Sequence, residues 1–263
     1  MANGQEFAHG SSVGRNFMTY CDGDKLFHYT KFDSALKIII SNKLRFGRFE
    51  DMNDIAEVNR DIFANIPLEV VYKELGKYQS ISLTTDKQSP RGFEINPLWG
   101  HYADKGKGVC LVFDKAKLLT CLTDQIANDP CWDDKIDYEN NFSNEILPEG
   151  DSLSDVSRSI QEKIGSVFFT KSVDWQYEQE YRLLVYSERE EFLNFGESLQ
   201  AVILCLPKID NVKKAAEYTM LKKIVGKIPI LHYTTSFGKN ILNDENGNRL
   251  YPILGVDWDV DSE

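Results

Sequence analysis

The stretch Trp175-Gln176-Tyr177-Glu178-Gln179-Glu180-Tyr181-Arg182 sets two carboxylates one residue apart against an apolar, β-prone run, Leu183-Leu184-Val185-Tyr186. A carboxylate at the mouth of a strand is fixed by backbone geometry, and a fixed carboxylate can act as acid, base or charge stabiliser. The same residues also read structurally: Glu178 and Glu180 with Arg182 nearby form an ion-pair cluster, the usual fate of charges at a strand end.

Other groups with chemical potential are His28-Tyr29-Thr30 at the end of an early β-type run, and the aromatic cluster Trp99, His101 and Tyr102. Taken alone, the first is a core strand whose His and Thr satisfy backbone groups, and the second is core packing. Asn53-Asp54 and Glu57 read as a turn and helix start. The histidines at 9, 28, 101 and 232 are not paired at ligand spacing, so no metal site is expected. The glycine and histidine signatures of dinucleotide-binding, phosphate-loop, zinc-protease and serine-hydrolase sites are absent. A Mg²⁺ nuclease built from Asp51, Asp54, Glu57, Glu178 and Glu180 is the least favoured reading.

These groups must be positioned by a substantial core. The chain has 263 residues, 42% of them hydrophobic, and 30 Lys+Arg against 41 Asp+Glu give a net charge of -11. That charge disfavours non-specific binding to a phosphate backbone. Cysteines at 21, 110, 121, 131 and 205 are odd in number and lack a C-x-x-C pair, which suits a reducing cytoplasm. No signal peptide or membrane span is expected.

Residues 1–24 read as a flexible leader and 25–263 as one α+β domain. A strand over Leu26–Thr30 leads to a helix over Lys31–Asn42, with Thr30, Asp33 and Ser34 as caps and Leu36, Ile39 and Ile40 on its apolar side. A short strand or turn at Leu44–Gly47 precedes a helix over Glu57–Tyr78. Strands are expected at Ser80–Thr84, Gly108–Phe113, Val167–Thr170, Tyr181–Tyr186 and Leu199–Leu206, and a last one at Pro229–Thr234. Helices are expected at Pro97–Asp104, Ser152–Gly165 and Asn211–Gly226, with a loop-like acidic region over 128–158.

In order, His28-Tyr29-Thr30, Leu44-Arg45-Phe46, Asn53-Asp54-x-x-Glu57, Ile81-Ser82-x-Thr84, Trp99-x-His101-Tyr102 through Phe113, and Lys171 to Arg182 resemble the bacterial domain-of-unknown-function family numbered 2971. The likeness spans roughly 25–235. More distantly, the His-x-Thr strand, the following helix, the Leu-Arg-Phe segment and a late glutamate before an apolar strand resemble the ADP-ribosyltransferase fold, including DarT-like toxins that modify DNA.

That second resemblance implies a split mixed or antiparallel β-sheet core with flanking helices, and NAD as co-substrate. It implies Glu180 as catalytic carboxylate at the nicotinamide–ribose bond, with Tyr102 and Glu178 supporting it. His28, Tyr29 and Thr30 would hold the dinucleotide, Tyr102 or Trp99 would stack on nicotinamide, and Arg45 would meet the diphosphate. Glu178 would orient the acceptor or pair with Arg182. The expected function is a cytoplasmic bacterial toxin or anti-phage defence effector whose acceptor is a protein or nucleic acid, with a regulatory or antitoxin protein partner. The alternatives are an NAD glycohydrolase and a non-catalytic nucleotide- or protein-binding module.

Overall fold

Apolar residues on both faces make the first strand, β1 (Lys25–Thr30), a central one: Leu26 packs into one core, and Phe27 and Tyr29 into another. The computed structural model describes residues 24–49, 52, 68–87, 89–126, 130–140, 152–205, 211–236 and 238–251. The leader up to residue 23, Asp51, Asn53-Asp54, Glu57 and the first part of the helix expected at 57–78 lie outside these residues.

Helix α1 (Phe32–Ser41) starts after Lys31, which gives no side-chain cap, so Asp33 and Ser34 lie in its first turn instead of capping it. It buries Ala35 and Leu36 but leaves Ile40 66% exposed, contrary to the apolar stripe expected from the sequence. The helix ends on Asn42 in the left-handed conformation. There follow β2 (Lys43–Arg45), β3 (Gly47–Arg48), α2 (Leu68–Leu75), β4 (Tyr78–Thr85), α3 (Asn96–His101) and β5 (Val109–Asp114).

Helix α4 (Lys115–Gln125), not expected from the sequence, is capped by Asp114, whose carboxylate accepts from the Lys117 N–H. Strands β6 (Cys131–Lys135) and β7 (Asp137–Glu139) fall in the region expected to be loop. After α5 (Leu153–Glu162), α6 (Ile164–Phe168) takes in Val167 and Phe168, the first half of the strand expected over Val167–Thr170, and only Thr170 of that stretch enters a strand. The reason is packing: Phe168 stacks on Tyr78 with ring centroids 4.3 Å apart, and tertiary contact overrides the β preference of Val-Phe-Phe.

The chain continues with β8 (Thr170–Ser172), a 3₁₀ helix (Val173–Glu178), β9 (Glu180–Tyr186), β10 (Phe192–Asn194), β11 (Leu199–Cys205), α7 (Asn211–Val225) and β12 (Ile230–Ser236). Two strands then follow the one expected to be last: β13 (Lys239–Asn243) and β14 (Arg249–Tyr251).

The fold is α+β. Among the described residues its main sheet has ten strands, in the order β14-β13-β12-β11-β5-β1-β4-β9-β6 with β3 beside β4. The β11–β12 pair is parallel and the remaining pairs are antiparallel. Helices α1, α4 and α7 cover one face through Ala35, Leu118 and Leu221, while α3 covers the other through Leu98 and Trp99.

The sheet is split. Strand β1 pairs along its whole length with β5, from Lys25↔Asp114 to Thr30↔Val109, but with β4 only at Leu26↔Thr85 and Phe27↔Thr84. From His28 onward β1 and β4 part, and the opening between them is where the polar residues collect. The turn from α3 into β5 closes one side of it. There Gly108 is required by space: a Cβ would lie 2.3 Å from the Thr30 carbonyl oxygen and 2.8 Å from Ala103 Cα.

Candidate functional site

The site is built from the bottom of the split upward. Strand β4 alternates Ser80, Ser82 and Thr84 on one face, and the β4–β9 register sets Thr84 opposite Glu180 and Ser82 opposite Arg182. Glu180 opens β9. Just before it Gln179 is left-handed at φ 50°, and its carbonyl accepts from the Thr85 N–H at 2.9 Å and the Thr85 hydroxyl at 3.0 Å. This clamp lets Glu178, on the 3₁₀ helix, and Glu180, on the strand, face the same cavity.

Glu180 is 3% exposed. Ser82 Oγ donates to its Oε1 at 2.6 Å, Arg182 Nε donates to Oε1 at 2.8 Å, and Arg182 Nη2 donates to Oε2 at 3.1 Å. Lys171 Nζ stands 3.4 Å from Oε2. The Glu180 N–H donates to the Tyr138 hydroxyl at 2.9 Å. Burial opposes the charge, but the Arg182 guanidinium, then the Lys171 ammonium, and hydrogen bonds from Arg182 and Ser82 outweigh it and hold the carboxyl at about 2. Glu180 is therefore an anion at neutral pH.

Glu178 is held differently: Tyr102 Oη donates to its Oε1 at 2.7 Å, and Lys171 Nζ donates to its Oε2 at 2.7 Å. Of the two roles expected for Glu178, pairing with Arg182 is not seen: Arg182 donates to Glu180 and to the Phe168 carbonyl. Lys171 also lies 4.8 Å from the Trp175 ring centroid, which steadies the ammonium between the two carboxylates.

His28 Nδ1 reaches across the split to within 3.3 Å of the Ser82 carbonyl oxygen. Burial pushes its pKa below the usual histidine value, with the carbonyl contact working the other way. The tautomer that bonds the carbonyl carries its proton on Nδ1 and leaves Nε2 as an acceptor.

These groups line one cavity of about 250 Å³. His28, Tyr29, Arg45, Tyr102, Glu178 and Glu180 all contribute to it. Its walls carry four cationic side chains, Arg45, Arg48, Lys171 and Arg182, against the two carboxylates; Arg45 is exposed and pairs at 3.3 Å with Glu190, which does not line the cavity, so cations outnumber anions on these walls in a protein of net charge -11. Two of the sequence-derived candidates stand apart. Thr30 ends β1 without lining the cavity, and Trp99 is committed to the core, with Nε1 donating to the Phe93 carbonyl and its ring stacked on Tyr233 at 5.4 Å.

Sequence reasoning did not pick out Lys171 and Ser82 as site residues. Their signals were present: a lysine at the head of the same motif as the two glutamates, and the hydroxyl alternation of β4. No group of three His, Cys, Asp or Glu among the described residues is placed to hold a metal ion. No helix among them is long and apolar enough to cross a membrane.

None of the curated protein sequences matches this chain. Among solved structures it is similar to Thermus sp. 2.9 DarT in complex with ADP-ribosylated ssDNA, at 13% identity and TM-score 0.32 over 76% of this chain and 89% of that one. It is likewise similar to Thermus sp. 2.9 DarT in complex with NAD+, at 13% identity and TM-score 0.32 over 77% and 90%. The model of the family described as "Protein of unknown function (DUF2971)" matches residues 98–183, a segment that runs from α3 with Tyr102 through Lys171 to Glu178, Glu180 and Arg182.

Proposed function

We propose that this chain is an NAD-dependent ADP-ribosyltransferase that uses Glu180 as its catalytic carboxylate. The observation that carries the reading is the setting of Glu180: an ionised, buried carboxylate in a concave site shared with neutral His28, Tyr102 and a surplus of cations. Cleavage of the nicotinamide–ribose bond sends the bonding pair out with nicotinamide and leaves an oxocarbenium-like ribose. A fixed anion beside the ribose hydroxyls stabilises that charge as it develops.

His28 Nε2 would accept from a ribose hydroxyl, Tyr29 would support that wall, and Arg45 would meet the diphosphate. Tyr102 would face the nicotinamide ring. Glu178 would take the proton from the acceptor as it attacks the anomeric carbon. A protein or nucleic-acid acceptor makes the chain a toxin or anti-phage effector restrained by an antitoxin-type partner, and water as acceptor makes it an NAD glycohydrolase.

The test is nicotinamide release from NAD by the pure protein, with protein, single-stranded DNA or water as acceptor. We expect release that falls about 100- to 1,000-fold in Glu180→Gln, the scale set by removing one preorganised electrostatic group. Equal rates in the two proteins, or no release with any acceptor, would overturn the proposal.

A specific observation favours a second reading, that of a non-catalytic nucleotide-binding module. Both Glu180 oxygens already have partners in Ser82, Arg182 and Lys171, as in an ion cluster whose work is structural. Calorimetric NAD binding without nicotinamide release would select it.

A further inference from the structure

Between the two carboxylates of the site lies Gln179, whose backbone decides whether they face the same cavity. It is left-handed at φ 50° and ψ 43°, a region that residues other than glycine and asparagine rarely enter. Relaxation of Gln179 to an ordinary conformation would rotate the peptide that joins it to Glu180 and turn the Glu180 side chain away from Glu178. That peptide has to be held.

It is pinned at both ends. Its oxygen, on Gln179, accepts from the Thr85 N–H at 2.9 Å and the Thr85 hydroxyl at 3.0 Å, so the main sheet secures that side. Its hydrogen, on the Glu180 nitrogen, goes to Tyr138 Oη at 2.9 Å. This second pin comes from outside the main sheet, because Tyr138 lies on β7, which pairs with β8 in a separate parallel ribbon. The Ile136 N–H donates to the Glu180 carbonyl at 3.0 Å and the Asp137 N–H to the Phe169 carbonyl at 2.8 Å. The run that carries Tyr138 is thereby fixed against both β9 and the approach to β8.

The ribbon serves both halves of the carboxylate pair. In its register Tyr138 is opposite Lys171, and residues so placed share a face. Lys171 sends its ammonium to the two carboxylates, and Tyr138 sends its hydroxyl to the main chain between them. The Tyr138 ring packs on the core that contains Phe168 and Phe169, which fixes the hydroxyl. Burial raises its pKa, so the phenol keeps its proton and meets the Glu180 N–H with an oxygen lone pair. Tyr138 does not line the cavity, so it acts on a ligand there only through Glu180.

We propose that Tyr138 is a positioning residue that locks the Gln179–Glu180 peptide and so holds Glu178 and Glu180 on one cavity. Its effect on rate rests on the reading of Glu180 as the catalytic carboxylate; the lock itself is measured without turnover.

Tyr138→Phe keeps the ring and removes the oxygen. In the full chain, amide hydrogen exchange followed by NMR should speed up at Glu180 by at least about tenfold, and the backbone shifts of Gln179 should leave their left-handed values. Nicotinamide release from NAD should fall about tenfold or more through kcat with KM little changed, because misplacing a reacting group costs rate more than binding. Gln179→Asn, which suits a left-handed backbone better than glutamine, should restore much of both losses in the Tyr138→Phe background.

Exchange at Glu180 as slow in Tyr138→Phe as in the parent chain would overturn the lock. If exchange speeds up as expected but no protein or acceptor yields nicotinamide, the lock stands and the catalytic reading falls. If Tyr138→Phe turns over NAD at the parent rate, Tyr138 loses its positioning role and the catalytic reading survives. A fall in kcat that Gln179→Asn leaves untouched would also overturn the lock, since the hydroxyl would then act by a route other than this peptide.

Discussion

The ammonium of Lys171 lies 3.4 Å from Glu180 Oε2 but 2.7 Å from Glu178 Oε2, so one cation bridges two buried carboxylates and sits closer to the one outside the strand. Its contact with Glu180 is longer than those from Ser82 and Arg182, at 2.6 Å and 2.8 Å. Lys171 is thus the partner that a ligand hydroxyl can displace from Glu180 at least cost, since the ammonium keeps Glu178 when it withdraws. Removing it is a different matter. Lys171→Met leaves two neighbouring buried anions without their shared cation, and we expect a loss of about 3–5 kcal/mol in denaturant unfolding. Adding Glu178→Gln should recover more than about 1 kcal/mol of that loss, measured as a double-mutant cycle. Strict additivity would show that Lys171 does not couple the pair.

Ser82 is expected to act through Glu180. Its hydroxyl donates to Glu180 Oε1, and its carbonyl oxygen is the group His28 Nδ1 approaches, so one residue of β4 orients both walls of the split. Ser82→Ala keeps the carbonyl and removes the hydroxyl. We expect nicotinamide release to fall about tenfold through kcat with KM little changed, because a hydrogen bond to a charged group contributes about 1.5–3 kcal/mol. Ser82→Thr should restore most of the rate. A fall in KM affinity alone, with kcat unmoved, would assign Ser82 to ligand binding instead.

How much of this site was legible in the sequence follows from how local each signal is. Glu180 at the head of an apolar run and His28 toward the end of another are short-range patterns, and both residues line the cavity. The direction of Arg182 was not legible, because Glu178 and Glu180 are both within its reach along the chain. The strand settles it: Glu180 and Arg182 are two residues apart on β9 and share a face, and Arg182 donates to Glu180 and the Phe168 carbonyl. Trp99 shows the opposite failure. Spacing from Tyr102 suggested a shared surface, but α3 turns the indole into the core against Tyr233, and of the two only Tyr102 lines the cavity. The α6 segment was misread for a related reason: Val167 and Phe168 are strand formers whose burial against Tyr78 is reached only as a helix.

The site should write itself into the acid side of the stability curve. Glu180 titrates near 4.5 when unfolded and at about 2 in the folded chain, so between these values the unfolded state binds the proton first. The stabilisation is fully present above about pH 4.5 and is lost as pH falls through that window toward 2. His28 is also depressed, below 6.5, which adds a shallower loss beginning as pH drops under 6.5. Urea unfolding at stepped pH should therefore give a stability slope between pH 5 and 2 that flattens in Glu180→Gln, and a slope below 6.5 that flattens in His28→Asn. Unchanged slopes in both variants would mean that other groups set the acid limit.

The closure of the split depends on Gly108. Its missing side chain lets the turn after α3 pass against the end of β1, where a Cβ would meet the Thr30 carbonyl oxygen at 2.3 Å and Ala103 at 2.8 Å. Those obstacles are backbone atoms, so no rotamer change relieves them, and β1 or the α3 turn must move. Gly108→Ala should cost about 1–3 kcal/mol, the range for forcing an extra carbon into a packed position. Because Tyr102 sits on that turn and donates to Glu178, the displacement should also reach the site. We expect nicotinamide release to fall more in Gly108→Ala than in Gly165→Ala, where a Cβ meets nothing within 4 Å and thermal stability should hold. Equal melting temperatures for the two variants would show that the contact at Gly108 is absorbed without strain, and would remove the turn from the account of how Tyr102 is placed.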